Sequence, residues 1–130
     1  MSFLDPYRGL LLSVLRVMSG LLFLQHGTTK LLGFPETKFS GVDIMTMGGA
    51  AGVIELIAGG LLVIGLFTRP AAFIASGTMA FAYFIAHFPQ NVYPILNGGE
   101  LAALYCFVFL FLAAHGGGPL SLDHIYGRKK

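Results

Sequence analysis

Residues 10–27 read LLLSVLRVMSGLLFLQHG, and Arg16 is the only formal charge in the stretch. About 20 consecutive, mostly apolar residues in a helix cross the ~30 Å hydrocarbon core of a bilayer. This run, opening at Gly9 and Leu10 and able to continue as helix to Leu32, reads as a first membrane span. A secretory leader is the rival reading. Asp5 in the charged leader, Arg16 inside the apolar stretch and the lack of a small-x-small cleavage pattern argue against it.

Three more apolar runs lie further along the chain, over residues 47–67, 70–88 and 98–115. Between the first and second spans lies the longest loop, residues 34–45, where Pro35, Glu36, Lys38, Gly41 and Asp43 cannot face hydrocarbon. Thr68, Arg69 and Pro70 mark the next boundary, because a residue preceding proline is pushed out of the helical region. Residues 89–97, with two prolines, two asparagines and no charge, read as a short turn. Gly116, Gly117, Gly118 and Pro119 stop the last run, and an amphipathic tail ends in Arg128, Lys129 and Lys130. The expected architecture is an all-α membrane protein, a single domain over residues 1–130 folded as a four-helix up-down-up-down transmembrane bundle.

Composition supports this. Of 130 residues, 55% are hydrophobic and only 11% charged, against roughly 25% charged in ordinary soluble domains. Mean hydropathy is +0.77. A soluble globular domain is excluded. Net charge is +2 with no basic cluster interleaved with aromatics, so a nucleic-acid groove has no electrostatic footing. The lone Cys106 rules out an internal disulfide, a dithiol pair or a structural zinc site built on cysteines, and reads as a small buried hydrophobe.

Four spans put both termini on one side. Arg8, Arg69, Arg128, Lys129 and Lys130 then share a side, against Lys30 and Lys38 on the other, which favours cytoplasmic termini. Tyr7, Tyr93 and Tyr126 fit the interfacial aromatic belt. Gly48, Gly52, Glu55 and Gly59 recur at offsets of a helical face, and small residues there imply close helix packing.

Depth, taken at ~1.5 Å per residue, collects the polar residues. Gln25, His26 and Lys30 end the first span on the outside. Glu55 lies in the outer half of the second, Tyr83 and His87 at the outer end of the third, and Asn97 and Glu100 at the start of the fourth. Ionisable groups inside a span cost at least ~2.5 kcal/mol and need a partner or a wet cavity. These eight residues are expected to form an outer polar cluster, with Glu55, His26, His87 and Glu100 as acid–base groups and Gln25, Lys30, Tyr83 and Asn97 binding substrate together with Arg16, which lies in the inner half of its span and reaches outward. Two bland alternatives stand beside it: Arg16 and Glu55 form one structural ion pair, and Glu100 answers the helix dipole. His26 and His87 lack the spacing or cysteine companions of a haem or metal site, and none is expected. The aromatics of the third and fourth runs can stack a quinone ring or simply pack.

Arg16, Gln25, His26, Gly27, Lys30 and Phe34; Glu55, Gly59, Gly60, Leu66, Thr68 and Arg69; Asn97, Gly98, Gly99 and Glu100; and Gly116 to Pro119 with Ser121, Leu122 and Asp123 together resemble the DoxX family, in order and spacing over nearly the whole chain. The resemblance implies a small four-helix bacterial inner-membrane protein. Some relatives are linked to a thiosulfate:quinone oxidoreductase of a terminal oxidase, others to membrane complexes handling thiol or oxidative stress. The expected function is a membrane subunit of a redox system that binds a quinone or small substrate, served by a membrane or extracytoplasmic redox partner, or by a second copy of the chain. The alternatives are a non-enzymatic assembly or anchoring subunit gripping a partner through the glycine face, and a small-solute or lipid carrier.

Overall fold

The structure, a computed structural model, describes residues 2–127. The Arg128, Lys129 and Lys130 of the charge tally lie outside the described residues. Every element among the described residues is helical. A 3-10 turn, Ser2–Tyr7, leads into α1 (Arg8–Gly27), which continues as a π-helical segment, Thr28–Leu32, and stops where Gly33 takes a φ of 68°. Next come α2 (Met47–Ile64), α3 (Thr68–Ala82) with a π-helical end Tyr83–His87, the single turn α4 (Pro94–Asn97), α5 (Glu100–His115) and the short α6 (Leu122–Ile125). Thr46 caps α2 by accepting from Gly49 N–H at 3.1 Å, and Ser121 caps α6 by accepting from His124 N–H.

Among the described residues, three helical segments are long and apolar enough to cross a membrane: Ser2–Leu32 with 31 residues, Met47–Ile64 with 18 and Thr68–His87 with 20. The fourth apolar helix, α5, has 16 residues. Two boundaries differ from the sequence reading. The second helix ends at Ile64 rather than 67, because Gly65 adopts the left-handed conformation, φ 73°, and closes the helix with its N–H on Leu61 O. The third begins at Thr68, with Pro70 inside its first turn, where a missing N–H costs nothing. The turn at 89–97 contains the helical turn α4.

α1 and α2 run antiparallel in close contact. A Cβ on Gly20 would lie 3.0 Å from Leu62 Cβ, on Gly59 2.8 Å from Leu24 Cα, and on Gly27 2.7 Å from Leu56 N. Close backbone approach replaces the hydrophobic drive that lipid removes. α3 and α5 are also antiparallel: Arg69 donates to Ala114 O at 2.7 Å, Ser76 Oγ to Cys106 O at 2.7 Å, and Gly99 sits against Tyr83 and His87. Between the pairs lies a core of Phe23, Ala58, Leu62, Ala72, Ala75, Phe109 and Leu112.

Polar and charged side chains are buried beside this apolar core while large apolar side chains face outward, a distribution unlike that of a soluble domain. Arg16, Glu55, Ser13, Ser19, Thr68, Ser76 and Asn97 are buried, whereas Leu11, Val14, Met18, Ile57, Phe73, Phe81, Leu104 and Phe107 are exposed. So many large apolar side chains exposed along every long helix is far beyond what a soluble monomer shows. The chain is a membrane protein.

Candidate functional site

At the end where α1 and α3 arrive and α2 and α5 depart, both arriving helices finish as π-turns. Such turns widen the helix, shift the register of the residues beyond them and recur at functional sites. The first carries Lys30 and the second carries Tyr83 and His87. Lys30 Nζ donates to Glu55 Oε1 at 2.7 Å, with the Glu55 side chain only 2% exposed and Lys30 20%. Glu55 sits on the face of α2 marked by Gly52 and Gly59, which is why α1 comes close enough for Lys30 to reach it.

His26 lies within electrostatic reach of Glu55, and so does Tyr105 of α5. The His26 and Tyr105 rings meet edge to face, with centroids 6.4 Å apart. Tyr105 is buried and stacks on Phe109 at 5.4 Å, with Phe23 packed edge-on against both. The Lys30–Glu55 pair and the His26–Tyr105 ring pair thus lie within electrostatic reach of each other beside this aromatic stack. The loop after α1 folds back over this end: Gly41 and Val42 donate their N–H groups to Lys30 O at 3.1 and 3.2 Å, and Thr29 Oγ1 donates to Pro35 O.

A second polar group forms where α3 ends and α5 begins. Buried Asn97 donates to Tyr83 Oη at 3.2 Å and Asn91 O at 2.9 Å, and its Oδ1 accepts from Gly99 N–H at 2.8 Å. His87 Nδ1 stands 3.0 Å from Asn97 O. His26, Lys30 and Glu55 are therefore brought together, and Tyr83, His87 and Asn97 make a neighbouring set. Gln25 and Glu100 are exposed, with no side-chain hydrogen bond among the described residues.

Arg16 corrects the sequence reading. It does not pair with Glu55, whose cation is Lys30. Arg16 is 1% exposed, and its guanidinium donates to Leu62 O at 2.8 Å, Leu120 O at 2.8 Å and Gly117 O, three carbonyls from two distant segments. Its position is the opposite end of the bundle from Lys30 and Glu55, against Leu62 and the turn after α5. Ser13 Oγ donates to Gly117 O and accepts from Leu120 N–H. Asp123 accepts from Phe67 N–H at 2.8 Å and Thr68 N–H at 2.9 Å, and gives its own N–H to Gly65 O. The tail thus bolts onto the α2–α3 corner.

Sequence reasoning missed Tyr105, Ser13 and Asp123. Asp123, quoted above only as part of the closing motif, had a usable signal: a lone carboxylate just after a glycine run. Tyr105 had none that separated it from the other aromatics.

The DoxX family matches residues 11–88 of this chain. A protein of Haemophilus influenzae, described as an uncharacterized protein, is 42% identical over 134 residues, covering 99% of this chain and 100% of that protein. No solved structure matches.

Proposed function

This chain belongs to the DoxX family, and from that premise we propose that it is a membrane subunit of a redox system, binding a quinone or another small substrate at the Lys30–Glu55 end. In this reading the chain is one domain that crosses a bacterial inner membrane four times, up-down-up-down, with both termini cytoplasmic. α5 supplies the fourth crossing. Its 16 residues reach about 24 Å, and α4 and its flanking turns span the remainder of the ~30 Å core.

One observation carries the reading: a carboxylate inside the span, 2% exposed, is held 2.7 Å from an ammonium and within reach of His26 and Tyr105. Each charge costs at least ~2.5 kcal/mol at this depth, and a packed apolar pair would serve a purely structural contact as well. The Lys30 ammonium is suited to donate to a quinone oxygen and Glu55 to accept a proton. His26 and His87 exchange protons with the outer surface, where Gln25 and Glu100 also face. Tyr83 and Asn97 bind the substrate from the neighbouring set. Electrons come from a bound cofactor or from a membrane or extracytoplasmic partner.

The glycine face of α2 is covered by α1 through Gly52 and Gly59, which removes it as a grip for an assembly partner. The test is extraction of detergent-purified protein for bound quinone, with absorbance followed on quinol addition. The wild-type chain is expected to retain or turn over quinone and Glu55→Gln to lose it. Purified protein that holds none and reacts with none would overturn the reading.

A further inference from the structure

The opposite end of the bundle carries two concavities that share a wall. One is a polar cleft of about 370 Å³ at the junction of the α2–α3 corner with the glycine turn after α5. The other is an apolar groove of about 270 Å³ between α2 and α3. Phe67 and Pro70 line both, so the groove opens from the cleft and runs toward mid-membrane. Along α2 it extends from Leu61 to Val53, about 12 Å of helix, most of the roughly 15 Å depth of one leaflet's hydrocarbon. Ile57 and Ile74 on its two sides are 61% and 54% exposed, so it is open sideways to lipid.

The cleft is built for an anion. Arg69, whose guanidinium donates to Ala114 O, forms one wall, and the imidazoles of His115 and His124 also line it. Buried Arg16 stands behind, within electrostatic reach of Asp123, a carboxylate of the lining that accepts two backbone N–H groups. The Gly117 and Gly118 amides, which donate to no acceptor among the described residues, lie in the same lining. Consecutive backbone N–H groups in a glycine turn make an anion-binding concavity.

We propose that cleft and groove together are one site for an anionic phospholipid of the surrounding leaflet, phosphate in the cleft beside Arg69 and one acyl chain in the groove past Ile57 and Ile74. Neither half suits another occupant as well. A soluble anion leaves the groove empty, and a zwitterionic lipid brings its own cation to a basic cleft. The proposal rests on the membrane setting but not on the Glu55 site.

The test uses the full chain in detergent, with binding followed by native mass spectrometry and thermal unfolding. Phosphatidylglycerol is expected to bind and raise the melting temperature. Phosphatidylcholine with the same chains should bind about tenfold more weakly, and inorganic phosphate should produce no shift. Arg69→Gln should weaken phosphatidylglycerol about tenfold, the loss of one charge-assisted contact. Should that variant unfold, Val53→Phe, at the end of the groove away from the cleft, should weaken long-chain phosphatidylglycerol while leaving the short-chain form unaffected. Equal binding of the two lipids, a full shift with phosphate alone, or no chain-length effect in Val53→Phe would overturn the proposal.

Discussion

Lys30 and Glu55, 25 residues apart in sequence, meet at 2.7 Å with unequal burial, the carboxylate 2% and the ammonium 20% exposed. The inequality makes the two halves of the pair non-equivalent. Lys30→Met leaves a buried carboxylate without its cation, a defect of about 3–5 kcal/mol. Glu55→Gln leaves an ammonium that turns toward the headgroups, so the loss stays near ~1 kcal/mol. Thermal unfolding in detergent compares them, and equal losses would count against the geometry. Activity or quinone retention should vanish in both.

Arg16 reaches Leu62, Gly117 and Leu120 carbonyls through separate nitrogens. A lysine has one nitrogen on a flexible stem and cannot span that fork. Arg16→Lys should therefore destabilise the protein by about 2–4 kcal/mol and expose residues 117–125 to protease. Hydrogen exchange of those amides should quicken, while Lys30 and Glu55 remain paired.

Glycines on the packed face and on the lipid face should behave oppositely. A Cβ at Gly27 would fall 2.7 Å from Leu56 N and 2.8 Å from Gly52 O, whereas at Gly77 nothing lies within 4 Å. Gly27→Ala must force α1 and α2 apart, at a cost of about 1–3 kcal/mol. Gly77→Ala should be neutral or stabilising by about 0.5–1 kcal/mol. Melting temperatures of the two variants, moving in opposite directions, are the readout.

Topology is open to labelling because Cys106 is the sole cysteine. In a Cys106→Ala background, Lys38→Cys in the exposed loop should react with a membrane-impermeant maleimide in intact cells. Tyr126→Cys, exposed beside α6, should react only after the membrane is opened. Labelling of both in intact cells would refute the four-crossing reading.

The helical runs were readable from the sequence because lipid demands long uninterrupted apolar stretches. Rotation about each helix axis was not. In water the polar face shows which side is out, but here large apolar residues face outward on every long helix, and Gln25 and Glu100 are exposed although they neighbour His26 and the Asn97 set along the chain. The Arg16 partners were hidden for another reason. A search for countercharges finds carboxylates, whereas Arg16 is satisfied by backbone oxygens of a glycine turn, which residue identity does not advertise. Gly65 ended α2 early by a single left-handed residue, a signal outweighed by the nearby Pro70.

The bond from Arg16 to Gly117 joins residues 101 positions apart, and this sets an order of events during biosynthesis. When the first segment leaves the translocon, its guanidinium has no acceptor from the tail, because that part of the polypeptide has yet to be translated. Insertion of the opening helix is therefore provisional until Leu62, Gly117 and Leu120 arrive with the carbonyls that hold its guanidinium. A nascent chain released early would carry an unsatisfied cation within the lipid, the kind of lesion membrane quality-control proteases remove.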